Sequence, residues 1–320
     1  MVPIGRARKK SAETMDICGK EGLIEGRLVR IARLDAEGFD FTEDPEAALA
    51  AVRKSRSRAD VFTFIQRLSN TTPQYSYAME WDNMAALRIT TFDDWMTNQI
   101  DFKARNKARK AGKNGVTVAE VPFNDWLVRE ISAIYNECPI RQGKPFWHYG
   151  KDLEAVRRVN ETFLERSVFI GASLEGRLIG FVKLVMDEER SQAGLMQIVS
   201  MVGQRDKAPT NALIAQAVKS CADRGVQHLW YAKFSYGKKE RDSLADFKAN
   251  NGFKKVEIPR YYIPLTVAGK VALRFGLHRT AADWVPESVA ARYRKLRNNW
   301  YEAKLRGAGP KTPAVAGHSD

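Results

Sequence analysis

The stretch "GLMQIVSMVGQRDKAPTNALIAQAVKSCADRG" (Gly194–Gly225) decides the fold. It opens as an apolar run. It passes through a short loop carrying Arg205 and Lys207, then becomes a segment whose Leu213, Ile214, Ala217, Val218 and Cys221 share one stripe at helical spacing. Strand, cationic loop, helix is the reading. In open α/β sheets, ligands settle where a strand ends and a helix begins. The helix start offers free N–H groups and the positive end of the dipole. Gln204, Arg205, Lys207, Thr210 and Asn211 are therefore the candidate cofactor-binding residues, with a phosphate or pyrophosphate as guest. The plainer reading is that Asp206 or Thr210 simply caps the helix. The loop has a single glycine, Gly203, and Pro209 removes one donor from the first turn.

The pattern extends outward from there. "VQHLWYAKF" reads as a strand, "ERDSLADFKANNG" as a short helix stopped at Gly252, and "FKKVEIPRYYIPL" as the last strand. Upstream, Val168–Val202 gives three strands, the first two joined at Glu175-Gly176. Before them, "LEAVRRVNETFLERS" reads as a helix. Another begins at Asn124 or Asp125 and breaks at Cys138-Pro139, because the residue before proline leaves the helical region. "VTVAEV" is a strand, and "FDDWMTNQIDFKARNKARKAGKNG" is one helix stopped at Gly115. "NMAALRIT" and "ADVFTFIQRL" are strands. "DPEAALAAVRKSRS" is a helix with Asp44 as cap and Pro45 in its first turn, and "EGRLVRIARLDAEGFDF" is two short strands turning at Glu37-Gly38. The order predicts an α/β (α+β) fold: a mixed, mostly antiparallel sheet with helices on both faces. Four stretches follow: a basic flexible tail over 1–22, an N-terminal half with the basic helix over 23–115, a second half over 116–265, and a basic, partly helical extension over 266–320.

The chain has 320 residues and a formal charge of +14, which points to an anionic partner: nucleic acid, a phosphorylated substrate or an acidic membrane surface. Cys18, Cys138 and Cys221 are far apart, which argues against a disulfide framework or zinc site and fits a reducing cytoplasm. The histidines lack metal-ligand spacing, so no metal is expected. No apolar run approaches the ~18 residues of a membrane span. "MVPIGRARKK" has no apolar stretch behind it, so no secretory signal is read. A cytoplasmic protein, with peripheral contact to an anionic membrane as one option, is the expectation.

Three further constellations carry chemistry. In "KARNKARKAGK" (Lys103–Lys113), Lys103, Lys107 and Lys110 share one helical face, and Arg105, Arg109 and Lys113 another. Like charges so placed repel unless an anion relieves them; a solvated face is the alternative. "YNECPIRQGKPFWHYG" (Tyr135–Gly150) gathers Glu137, Arg141, Gln142, Trp147 and His148, a mixture that suits a substrate pocket or merely a loop with buried aromatics. The tail Val267–Gly307 interleaves Lys270, Arg274, Arg279, Arg292, Arg294, Lys295, Arg297, Lys304 and Arg306 with Trp284, Tyr293, Trp300 and Tyr301. It suits an interfacial helix or one docked on the protein's own surface.

"GRLIGFVKLV" followed by "MQIVSMVGQRDKAPTNALIAQAVKSCADRGVQHLWYAKF" resembles the core of the GNAT superfamily of N-acetyltransferases. "ARNKARKAGKNGVTV", "LADFKANNGFKKV" and "PRYYIPL" resemble its FemAB-like acyl- and aminoacyltransferase branch. The likeness spans roughly residues 60–265 and makes the strands of 23–90 a degenerate first half. It implies an acyltransferase with acyl-CoA as donor, its pyrophosphate on Gln204–Asn211, and an amine acceptor near Glu137–His148. The usual glycine-rich loop is absent, which leaves aminoacyl-tRNA as the alternative donor. Cell-envelope or surface-polysaccharide synthesis is the implied setting. Acyl transfer to an amine needs a base and a proton donor. Glu137 is the candidate base and Tyr231 or Tyr236 the candidate donor, while Lys233 and Lys248 would bind an oxyanion or acceptor phosphate. A non-enzymatic protein that holds nucleic acid or membrane on the same fold is the remaining alternative.

Overall fold

Capping residues and turns set most boundaries in the computed structural model, which describes residues 13–141, 143–235, 243–279 and Arg292. The first strands are β1 (Glu13–Ile17), β2 (Lys20–Glu25) and β3 (Ile31–Leu34). Residues 13–22 were expected in the tail and form a hairpin instead. Its two loop residues, Cys18 and Gly19, both have positive φ, as a tight hairpin turn requires. Met15 and Ile17 turn inward, a period-two signal too short to read beside "GRARKK".

Next come α1 (Pro45–Lys54), β4 (Val61–Ile65) and β5 (Ala78–Arg88); the Asp44 carboxylate caps α1 through the Glu46 and Ala47 N–H groups. The helix expected over Phe92–Gly115 is broken. It divides into α2 (Phe92–Asp94), a π turn over Trp95–Gln99 and α3 (Phe102–Lys113), with Ile100 extended between. Asp101 causes the restart: its carboxylate accepts the Lys103 N–H at 2.8 Å. Trp95 and Ile100 are both buried in the core, and the Trp95 indole donates to the Asn251 carbonyl at 3.1 Å.

The second half holds β6 (Thr117–Val121), α4 (Asp125–Asn136), the two-residue strands β7 (Ile140–Arg141) and β8 (Lys144–Pro145), and α5 (Leu153–Asn160). It continues with β9 (Ser167–Leu174), β10 (Arg177–Met186), β11 (Gln192–Ser200), α6 (Pro209–Asp223) and β12 (His228–Trp230). It ends with α7 (Ser243–Asn250), β13 (Lys254–Pro264) and α8 (Val267–Arg274). The helix read over Leu153–Ser167 stops early, and Phe163 takes a left-handed φ of 56°.

One sheet joins both halves in the order β1-β2-β3-β4-β13-β5-β12-β11-β10-β9-β6. Its pairs are antiparallel except β3 with β4 and β11 with β12. Strand β13 sits between β4 and β5, so a strand from the second half completes the first. On one face α3 and α6 cover the sheet, with Leu213, Ile214 and Val218 against Ile170, Val182 and Leu184. On the other, α4 and α5 bring Leu127, Ile131 and Val156 against Phe169, Leu178 and Phe181. β10 is buried on both faces, which is why it reads as a continuous apolar run. No helix among the described residues is long and apolar enough to cross a membrane.

Inserting β13 buries a charge. The Arg260 guanidinium donates to both Glu37 carboxylate oxygens at 3.1 and 3.0 Å and to Asp82 at 3.1 Å. Burial works against the charged guanidinium, but Glu37 and Asp82 prevail and raise its pKa. Burial alone would raise the Asp82 carboxyl; Arg260 and Lys233 outweigh it and hold that group well below its usual range. Arg260→Met leaves two carboxylates without their shared cation. It is expected to cost about 3–5 kcal/mol in denaturant unfolding, and an unchanged unfolding midpoint would show the network to be dispensable.

Candidate functional site

Strands β11 and β12 pair only through Gln192–Gly194 and His228–Trp230. Beyond that they part. β11 stays on β10 as far as Ser200, while the chain after Trp230 follows β5, with the Tyr231 N–H donating to the Ala85 carbonyl at 2.8 Å. A wedge opens with Leu195–Ser200 as one wall and Tyr231–Ser235 as the other. Gly194 stands at its apex. A Cβ there would fall 2.5 Å from the Trp230 indole and 2.6 Å from the Phe39 ring, so the rings can cross the backbone only at a glycine.

From the end of β11 a 3₁₀ turn (Val202–Lys207) leads to Ala208, left-handed at φ 56°, and into α6. Neither Asp206 nor Thr210 caps this helix. Asp206 pairs with Lys207 at 3.1 Å, and the Thr210 hydroxyl lies 2.7 Å from that of Ser200. The anion at the loop is the protein's own: the Glu137 carboxylate accepts the N–H groups of Val202 and Gly203, each at 2.7 Å. Arg141 pairs with Glu137 at 3.2 Å and also donates to the Ile134 and Ser200 carbonyls, which ties the Tyr135–Gly150 segment to the end of β11. Asn211 is buried and donates to Asn251 at 3.2 Å; Gln204 is half-buried and Arg205 exposed.

Under the wedge lies a polar row. Tyr135 is fully buried, and its hydroxyl donates to Gln197 of β11. Asn160 donates to the Tyr135 hydroxyl at 3.4 Å and to the Val156 carbonyl at 2.9 Å. The buried Lys183 ammonium reaches the Asn160 carbonyl at 2.7 Å and both oxygens of Thr162; burial pushes it down to about 7. Gln197, Asn160 and Lys183 were not among the sequence candidates. Lys183 carried a readable signal, a lone charge within "LIGFVKLVM". His148 stacks on Tyr135 at 4.3 Å, and Trp147 lies under the Lys151 ammonium at 3.3 Å.

On the far wall, Lys233 pairs with Asp82 at 2.7 Å. Lys248 is fully buried, donates to the Lys233 carbonyl at 2.5 Å and lies 4.7 Å over the Tyr231 ring. The structure thus gathers Glu137, Arg141 and Thr210 at the loop, and Tyr231, Lys233 and Lys248 on the opposite wall. Gln142 and Tyr236 lie outside the described residues. Grooves of about 250 Å³ between α3 and α6 and about 530 Å³ beside β6 and β9 are lined by none of these candidates, so the site rests on strand divergence.

No family model and no curated protein matches the sequence. Solved structures do. A structure of FemX is similar over 75% of this chain and 83% of its own, at 12% identity and a TM-score of 0.55. L-PGS from Bacillus licheniformis matches over 82% and 88%, at 14% identity and a TM-score of 0.51. The C-terminal domain of a protein classed as a lysylphosphatidylglycerol synthetase, from Agrobacterium fabrum, matches over 82% and 87%, at 13% and 0.50. The likeness is one of fold: a mixed, mostly antiparallel sheet flanked by helices, as in FemX.

Burial, with the nearby Lys151 and Arg141, pushes the His148 imidazole from 6.5 down to about 3. Between those values the folded ring binds fewer protons than the unfolded chain, so stability falls as pH falls through this window. His148→Phe keeps a ring on Tyr135 and is expected to flatten that decline in unfolding curves taken at several pH values. An equally steep decline in the variant would assign it to other groups.

Proposed function

We propose that the protein is a transferase that passes an aminoacyl group from an ester donor, aminoacyl-tRNA, to an amine, with the reacting carbonyl in the wedge. The fold it shares with FemX and with proteins named for lysylphosphatidylglycerol synthesis supports a transferase. The observation that carries the choice of donor is the Glu137 carboxylate on the Val202 and Gly203 N–H groups. A pyrophosphate would have to evict a tethered carboxylate already paired with Arg141, which disfavours acyl-CoA. Helix α3 supports a polyanionic donor. Lys103, Lys107, Arg109, Lys110 and Lys113 are exposed and make no ion pair among the described residues. The helix starts where the Asp101 N–H meets the Asn250 carbonyl, and neighbouring Asn251 is bonded to Asn211 of α6.

The amine nitrogen attacks the ester carbonyl, a C–N bond forms, the C–O bond to the ribose breaks, and the nitrogen's proton passes to the leaving oxygen. Holding both partners in the wedge supplies proximity. Tyr231 is the proposed proton donor. Its hydroxyl gives a proton to the leaving oxygen and takes up the one that the nitrogen loses. Glu137 holds the loop in this reading and does not act as base.

Calorimetric titration tests the donor. Acetyl-CoA is expected to give no saturable heat, and aminoacyl-tRNA saturable binding that weakens steeply with salt. Saturable acetyl-CoA binding lost in Arg205→Ala would place a pyrophosphate on the loop and overturn the reading. Tyr231→Phe is expected to lower turnover about a hundredfold or more; tRNA binding without turnover in the wild type would mark a binding protein instead.

A further inference from the structure

Helix α8 docks on the protein by the opposite of the usual amphipathic arrangement. Its inward residues are small: Gly269 and Ala272 are buried, and a Cβ at Gly269 would fall 1.9 Å from the Asp60 carbonyl oxygen. Thr266 caps the helix and donates to the Asp60 carboxylate at 2.8 Å. The large apolar residues face away from the core. Val267, Val271 and Phe275, spaced i, i+4, i+8, are 77%, 46% and 63% exposed, and Leu277 beyond them is 56% exposed.

A second element lies beside this stripe. The other Asp60 carboxylate oxygen accepts the Arg30 N–H at 2.9 Å, so one side chain ties the loop between β2 and β3 to the start of α8. That loop carries Leu28, exposed at 96%. The carboxylates near it are engaged, Asp60 by Arg30 and Thr266 and Glu13 by Arg30, and the exposed charges left without an ion pair are cationic. Arg27, Lys270 and Arg274 are exposed and make no ion pair among the described residues, and Thr266–Arg279 contains no acidic residue. Glu80, beside the far end of this helix, is held by His278 and Arg279.

We infer that Leu28 and the outer face of α8 form a docking surface for an anionic lipid bilayer. An apolar stripe bordered by lysine and arginine is what an interfacial helix offers: the side chains enter the acyl boundary while the cations meet lipid phosphates. A protein partner matched only to the apolar stripe would leave these cations without counter-charge, and a polyanion such as RNA would leave the valines and phenylalanine in water. The surface lies apart from the wedge and does not depend on the donor chosen there.

Co-sedimentation of the full chain with vesicles of phosphatidylglycerol and phosphatidylcholine in equal parts tests this, with pure phosphatidylcholine as control. Binding to the anionic vesicles alone is expected. Val271→Asp with Phe275→Asp should lower partitioning about tenfold or more. Lys270→Gln should lower it about fivefold, and thermal unfolding should be unchanged because these side chains are exposed. Three results would overturn the inference: no vesicle binding by the full chain, undiminished binding in the aspartate variant, or a self-association in sedimentation equilibrium that this variant abolishes. The last would make a second copy the occupant.

Discussion

The structure depends on neutralising one buried guanidinium. Arg260 sits in β13, the strand threaded between β4 and β5, where it is shut off from water. An unpaired charge there would cost far more than the apolar contacts of one strand supply. Glu37 must therefore be held at the end of the β3 loop, and Asp82 must face inward from β5. Asp82 serves two cations. Its second oxygen holds Lys233, on the segment that forms one wall of the wedge. The pairing that closes the sheet thus also fixes that wall, and fold and site share a carboxylate.

Local signals in the sequence located the elements. Asp44, Asn124 and Gly252 mark helix ends by chemistry that acts over three or four residues, and each stands where its side chain or φ requires. The errors came from contacts between distant residues. Phe92–Lys113 has an unbroken helical pattern, yet Trp95 reaches Asn251 and the helix restarts at Asp101. The Met15–Ile17 strand gains its burial from α1 and β2, and its own residues give little hint of it. The insertion of β13 is set by pairing with strands far away in sequence, and no period within "FKKVEIPRYYIPL" encodes those partners.

The site was legible as a place more than as a set of roles. Glu137, Arg141 and Thr210 were picked from two separate segments, and the fold brings them to one loop. What composition could not show is what each side chain touches. Lys233, read as an oxyanion or phosphate binder, neutralises Asp82, and Asn211, read as a cofactor contact, bonds to Asn251. Gln197 escaped notice because a glutamine within an apolar strand gives no warning that it will meet the hydroxyl of a buried tyrosine.

The odd composition of the Met201–Asn211 loop and its geometry have one origin. A cradle for phosphate needs several glycines so that bare backbone can approach a bulky tetrahedral anion from many sides. This loop has one, and a Cβ at Gly203 would stand 3.4 Å from the Glu137 carboxylate, an ordinary contact. A flat carboxylate on a tether needs only two N–H groups, and two are what it takes. With the anion supplied by the chain itself, Pro209 and left-handed Ala208 at the start of α6 cost no phosphate contact. The missing glycines, the proline and the Arg141 contact are then consistent features of one loop, whose two free N–H groups are taken by the Glu137 carboxylate.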